Sequence, residues 1–215
     1  MKFETIVVGP LAVNCYLLYD EETRDCVIVD PGAEGEKIID AVKHYELTPK
    51  AIWITHGHFD HIGALTTVHK KFPVDIFLHH DDYFLYKNVN EHATVFGVAD
   101  IEVPPSEPLF FNMNMNTLKI GGASVELIHT PGHSPGSVSF YSKENNVIFV
   151  GDLVFEGSVG RTDVPGGNFD ILEKSILENV YTKGDACVIY PGHGSKTTVG
   201  REKKYNSFVR VKRLK

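Results

Sequence analysis

The chain has 215 residues, 42% hydrophobic and 23% charged, with a formal net charge of −7. This is the length and composition of one globular domain over 1–215, and 11% aromatic residues argue against disorder as the main state. The negative charge disfavours a nucleic-acid or anionic-membrane binder, and no run approaches the roughly 18 apolar residues of a membrane span. The opening MKFETIVVGP leads directly into strand pattern without a signal segment, so a cytoplasmic protein is expected. Charge is uneven: residues 201–215 carry seven Lys or Arg against one Glu. Such a run reads as a solvated helix end, with an anion-docking patch as the alternative.

Taken in chain order, residues 3–8, 13–19 and 25–29 have the Val, Ile and Tyr content of strands. Residues 34–46 fit a helix with Ile38, Ile39, Val42 and Tyr45 on one face. A buried strand at 51–55, a helix at 61–71, a strand at 75–79 and a short helix at 81–87 follow. The segment 88–107 is irregular, and its ending VPPSEP excludes helix or central strand there. Strands are expected near 117–120, 123–129, 137–142 and 146–150. A helix at 169–180 places Phe169, Leu172, Ile176 and Val180 at helical spacing, capped by Asn168 or Asp170. A strand at 187–191 and a helix at 199–207 close the chain. The halves repeat one order, strands, then a helix, then a strand running into a His-containing loop.

Cys15, Cys26 and Cys187 are scattered and odd in number, which fits core packing better than a disulfide framework or a cysteine metal site. The histidines are different. His56-Gly57-His58-Phe59-Asp60-His61 sets three imidazoles and a carboxylate in one strand-to-helix loop. Packing needs none of them, and each desolvated polar group would require a partner. Imidazole and carboxylate are the ligands of zinc, and imidazole also suits iron, copper and nickel. His133 and His193 each follow a strand in a Pro- and Gly-wrapped turn. Asp152 and Asp30 each end an apolar strand. Asp152 is the better ligand candidate, whereas Asp30 also fits a cap or a partner for loop amides. The histidines at 44, 69, 79, 80, 92 and 129 lie outside any ligand spacing.

The pattern His56-x-His58-x-Asp60-His61, with Asp30, His133, Asp152 and His193 in order, resembles the metallo-β-lactamase-fold hydrolase superfamily. The resemblance covers about residues 14–194. It implies a four-layer αβ/βα sandwich: two mixed sheets face to face, helices outside, metals on the loops at one edge. The stretches Asn14-Cys15-Tyr16-Leu17, Val29-Asp30-Pro31-Gly32, Thr130-Pro131-Gly132-His133, Gly151-Asp152-Leu153-Val154-Phe155 and Ser158-Val159-Gly160-Arg161-Thr162-Asp163 are similar to the glyoxalase II-like group, in its short, bacterial-type form.

That group implies a metal-dependent hydrolase with two divalent metal ions, zinc in the first instance, with iron or manganese as alternatives. One ion would sit on His56, His58 and His133, the other on Asp60, His61 and His193, with Asp152 bridging. The implied reaction is attack by a metal-bound hydroxide on a small-molecule thioester such as S-lactoylglutathione, with Asp60 as ligand and orienter. No GxSxG or Cys/His signature suggests a protein nucleophile. The chain ends soon after His193, so the C-terminal helical domain that grips glutathione in the longer enzymes is not expected. Arg161 and Asp163 are expected to pair, and Phe59 to pack or line the mouth of the site. Tyr83 and Tyr86 are open between core and substrate contact. Rival readings are a mononuclear iron persulfide dioxygenase using His56, His133 and Asp152, hydrolysis of a lactone, β-lactam or phosphodiester, and a metal-stabilised binding module.

Overall fold

The computed structural model describes residues 1–98 and 101–210. It opens with three antiparallel strands, β1 (Lys2–Val8), β2 (Val13–Tyr19) and β3 (Asp25–Val29). Helix α1 (Gly35–His44) then crosses to β4 (Thr48–Trp53), parallel to β3. Helices α2 (Phe59–Ile62) and α3 (Leu65–Lys71) cross to β5 (Asp75–Leu78), again parallel. A 3-10 turn at His80–Asp82, α4 (Tyr83–Lys87) and α5 (Val89–Val95) lead to the edge strand β6 (Leu109–Phe110). These six strands form one mixed sheet in the order β1-β2-β3-β4-β5-β6.

The second half begins with an antiparallel meander, β7 (Thr117–Ile120), β8 (Ala123–His129), β9 (Val138–Ser142) and β10 (Val147–Gly151). A small hairpin of β11 (Val154–Phe155) and β12 (Ser158–Val159) precedes α6 (Phe169–Ser175). Strand β13 (Val188–Pro191) joins β10 in parallel, β14 (Thr197–Thr198) pairs with β13, and α7 (Val199–Tyr205) follows. The second sheet runs β14-β13-β10-β9-β8-β7.

Period-two alternation sorts the side chains of each strand into layers. On β2, Tyr16 and Leu18 enter the core between the sheets with Val27, Val29, Trp53, Phe140 and Phe149. Cys15, Leu17 and Tyr19 face the other way, onto a layer completed by Ile38 and Val42 of α1 and Leu65 and Val68 of α3. On the far side Ile148, Val150 and Ile189 pack under Leu172, Ile176, Val180 and Val199. The result is the expected sandwich of two mixed sheets with helices outside. Both faces of the inner strands are covered, which is why β2, β9 and β10 are buried along their whole length.

Three elements differ from the sequence expectation. The helix expected over 61–71 is two pieces: at the break the Ala64 N–H donates to the Pro31 carbonyl at 2.9 Å, and Gly63 lies against the Gly32 carbonyl, where a Cβ would come within 2.5 Å. The irregular segment 88–107 contains α5, although its Pro-rich end is neither helix nor strand. The helix expected over 169–180 leaves α-geometry after Ser175 and continues as a wider turn at Ile176–Val180. Its N-cap is Asn168, whose Oδ1 accepts the Ile171 N–H at 3.1 Å. The three cysteines are free and buried. Of the basic segment 201–215, residues 211–215 lie outside the described residues. Arg201 and Lys203 pair with Glu202 and Asp185.

Candidate metal centre

Strand direction gathers the site. Strands β3 and β4 are parallel, as are β10 and β13, and β8 runs with β10 because each is antiparallel to β9. The residues following these five strands therefore emerge at one edge of the sandwich. Asp30 follows β3, His56 and His58 follow β4, His133 follows β8, Asp152 follows β10 and His193 follows β13. His58 is the N-cap residue of α2, so Asp60 and His61 lie in its single turn.

All seven candidate ligands come together. Ligand atoms of His56, His58 and His133 lie within 4.8 Å of one another, as do those of Asp60, His61 and His193, and those of His56, His61 and Asp152. His58 Nδ1 is 2.8 Å from His133 Nε2. His193 Nε2 is 3.2 Å from Asp60 Oδ2 and 3.4 Å from Asp152 Oδ2, and Asp152 Oδ1 is 3.4 Å from His61 Nε2. The two sets thus meet at Asp152.

Four of the five imidazoles are aimed by a bond at the outer nitrogen. His133 Nδ1 donates to the Arg161 carbonyl at 2.7 Å and His193 Nδ1 to the Leu11 carbonyl at 2.9 Å. Asp30 supports two more, although it sits in the left-handed region at φ 51°. Its Oδ2 accepts His61 Nδ1 at 2.9 Å and the Thr55 hydroxyl at 2.6 Å, while its Oδ1 accepts the Thr55 N–H at 2.8 Å. Since Thr55 Oγ1 spends its proton on Asp30, it accepts from His56 Nδ1 at 3.0 Å. His56, His61, His133 and His193 therefore turn Nε2 inward, the arrangement of metal-ligating histidines with fixed outer partners. Of the two roles open to Asp30, the structure shows the loop-amide bond and adds support of the imidazoles.

The loop of His193 is held by Asn14 and Tyr16. Asn14 Nδ2 donates to the carbonyls of Pro191 and Gly194, both at 3.0 Å, and the Tyr16 hydroxyl donates to Pro191 at 2.6 Å. Gly192 is required there, because a Cβ would fall 2.2 Å from Asp152 Oδ1 and 2.7 Å from the His61 ring.

The residues fit cations. Among the described residues, the inward-facing His56 Nε2 and Asp152 Oδ1 are buried and have no hydrogen-bond partner, which is costly unless an ion supplies one. Electrostatics separates the sets. Burial, aided by the neighbouring imidazoles, holds His56 well below the usual histidine range and His58 at about 3, so both present neutral lone pairs. Burial also opposes charge on His61 and His193, but the carboxylates outweigh it. Asp152, Asp30 and Asp60 raise His61 well above its usual value, and Asp152 and Asp60 raise His193 to about 10. In turn, His61 and His193 hold Asp60 and Asp152 low against the pull of burial. His56 and His58 offer neutral nitrogen donors; the other set has negative charge that calls for a cation.

Five of the seven candidate ligands, His58, Asp60, His133, Asp152 and His193, line one cleft of about 260 Å3 with Leu11, Phe59, Phe96, Arg161 and Val164. Phe59 forms part of its wall. Arg161 makes the expected pair with Asp163, two bonds of 2.9 Å, and also reaches the cleft. Tyr86 is buried with its hydroxyl on the Ser106 carbonyl, and Tyr83 bonds Glu107, so neither lines this cleft. A larger cleft of about 500 Å3 between α1 and α3 is lined by Lys43, Lys70, Lys71, Glu36 and Glu102 and has no histidine or cysteine. His79, Asp81 and His129 also approach one another, which their sequence spacing did not suggest. The two rings stack at 4.2 Å and 11°, so their in-plane lone pairs run side by side rather than to one point.

Residues 8–193 match the family model of the metallo-β-lactamase superfamily. A protein of Haemophilus influenzae named hydroxyacylglutathione hydrolase GloC is 38% identical over 213 residues, covering 99% of this chain and all of that protein. Among solved structures, the BLEG-1 B3 metallo-β-lactamase superposes with a TM-score of 0.88 at 37% identity, covering 97% of this chain and 99% of that one. TTHA1623 in a di-iron-bound form superposes at 0.87 and 37% identity, covering 96% of this chain and all of that one. No helix among the described residues is long and apolar enough to cross a membrane. The chain belongs to the metallo-β-lactamase superfamily, among its metallo-hydrolases.

Proposed function

We propose that this chain is a dinuclear hydrolase of small thioesters of the acylglutathione type. The observation that carries the reading is the meeting of two ligand sets at Asp152 on the floor of a single cleft. His56, His58 and His133 would hold one ion, Asp60, His61 and His193 the other, with Asp152 between them. Two divalent cations held there would lower the pKa of a water toward neutrality and draw charge from a thioester carbonyl. Zinc suits the nitrogen and oxygen donors, as does iron, which the similar TTHA1623 structure contains.

The residues of the chain supply the rest. Asp60, held deprotonated by His61 and His193, accepts a hydrogen bond from the attacking water and fixes its direction. The thioester C–S bond breaks, the acyl carbon takes the water oxygen, and the sulfur leaves as a thiolate, a good leaving group that needs no strong general acid and takes up the proton the water gives up. Phe59, Phe96, Leu11 and Val164 wall the cleft against bulk water. At about 260 Å3 it is near the lower end of ligand cavities, so it suits an acyl group and the thioester while a larger thiol carrier lies over the rim. A mononuclear iron dioxygenase would leave Asp60, His61 and His193 without a role. A cytoplasmic setting belongs to the same reading and rests on three buried, free cysteines.

The test is turnover of S-lactoylglutathione beside a chromogenic β-lactam, with metal-loaded, metal-stripped and Asp60→Ala protein. The reading expects metal-dependent thioester turnover that Asp60→Ala reduces to background, and a much lower rate on the β-lactam. A fully loaded protein that turns over only the β-lactam, or neither compound, would overturn it.

A further inference from the structure

We infer that Asp82, far from the ligand motifs in sequence, is a positioning residue that fixes the spacing of the three-histidine set; this rests on the ligand reading proposed above. Asp82 is fully buried. Its Oδ2 accepts the Gly57 N–H at 2.9 Å and the Ser134 hydroxyl at 2.6 Å, and its Oδ1 accepts the Gly136 N–H at 2.6 Å. Among the described residues it has no cationic partner within ion-pair distance. A buried carboxylate without a counter-charge persists only where several donors converge on it.

The donors define what it does. Gly57 lies between His56 and His58, Ser134 directly follows His133, and Gly136 is two residues further on. One carboxylate therefore ties the loop after β4, on the first sheet, to the loop after β8, on the second. Those loops carry all three imidazoles of the set, and His58 Nδ1 and His133 Nε2 end 2.8 Å apart.

The surroundings are shaped for this tie. A Cβ on Gly57 would stand 2.9 Å from the Asp82 backbone carbonyl, and one on Gly136 would stand 2.7 Å from Asp82 Cγ, so glycine at both positions lets Asp82 approach this closely. The Ser134 hydroxyl gives its proton to Asp82 and takes one from Ser137, at 2.7 Å. Next to it, His129 Nε2 donates to the Pro135 carbonyl at 2.8 Å while its ring stacks on His79, whose carbonyl accepts the Asp82 N–H at 3.1 Å. The loop of His133 is thus held at Ser134, Pro135 and Gly136 by the short segment 79–82 and the end of β8. The carbonyl of Arg161 orients the ring, whereas Asp82 places the loop that carries it.

The test uses Asp82→Asn, which keeps shape but turns an amide N–H toward at least one of three donors. Metal-free parent and variant are titrated with Co2+ against a competing chelator, following the visible absorption of each bound equivalent and the melting of the metal-free proteins. The parent is expected to take two equivalents. In the variant, one equivalent should weaken by about 10–100-fold with an altered spectrum, while the other keeps its affinity and spectrum. Should Asp82→Asn not fold, Ser134→Ala removes one arm of the tie and should weaken the same equivalent alone, by a smaller factor. Unchanged affinity and spectra in the variant that folds, with a lower melting temperature, would show Asp82 to be merely structural and overturn the inference. Equal weakening of both equivalents would overturn it too. A parent that binds no Co2+ would instead sink the ligand reading itself.

Discussion

His56 is held by a threonine hydroxyl and His133 by a backbone carbonyl, and burial keeps His56 and His58 neutral. His61 and His193 stand among Asp30, Asp60 and Asp152, whose charge outweighs burial and favours protons or cations there. The same four residue-lengths of loop, His58 to His61, contribute to both. The difference shows that a ligand set can be preorganised by sterics and neutral hydrogen bonds or by charge, and that Asp152 joins the two kinds.

Removing the junction should have the largest effect. Asp152→Asn takes charge from between the sets, so the purified protein should hold less than two equivalents of metal, read by elemental analysis, and thioester turnover should fall to background. Full metal content in this variant would break the comparison, because the sets would then be independent.

Asp30→Asn probes the support that both sets share. Its amide must face at least one of the Thr55 N–H, Thr55 hydroxyl and His61 Nδ1–H donors. A loss of about 10–100-fold in metal affinity is expected, spread over both equivalents, whereas the effect of Asp82→Asn falls on one. Chelator competition distinguishes the two patterns. Leaving a buried donor without its acceptor should also cost about 1–3 kcal/mol in denaturant unfolding of the metal-free protein.

Acid and alkali sharpen the contrast with the smallest effect. His58 falls to about 3 in the folded chain, below its unfolded value, so its contribution to stability is present above about pH 6.5 and is lost as pH falls toward 3. His193 rises to about 10, so its contribution is present below about pH 6.5 and is lost as pH rises through 10. Melting of the metal-free protein should therefore decline on both sides of neutrality, and His193→Gln should remove part of the alkaline limb alone. A flat alkaline limb in the parent would show that the carboxylates do not charge His193.

Most of the ligand set was legible in sequence because its members are chemically out of place: imidazoles and carboxylates in turns after apolar strands. The layers were legible because buried strands of Val, Ile and Tyr alternate with helices of helical period. Asp82 was not, since in His79-His80-Asp81-Asp82 nothing local separates the exposed Asp81 from the buried Asp82. Only its contacts with two loops, 25 and 52–54 residues away, do so. The carbonyls of Leu11 and Arg161 carry no side-chain signal at all. Two-residue strands such as β6 and β14 are too short for periodicity to mark, and their pairing partners define them. At the break between α2 and α3 the Ala64 N–H donates to the Pro31 carbonyl, a tertiary contact that the pattern of residues 61–71 does not contain.

The most direct test of a shared dinuclear centre is a stepwise Zn2+ titration of metal-free protein while hydrolysis of S-lactoylglutathione is followed. The account predicts that turnover rises with metal and reaches its plateau at two equivalents per chain. A plateau at one equivalent, or two bound equivalents without turnover, would contradict it.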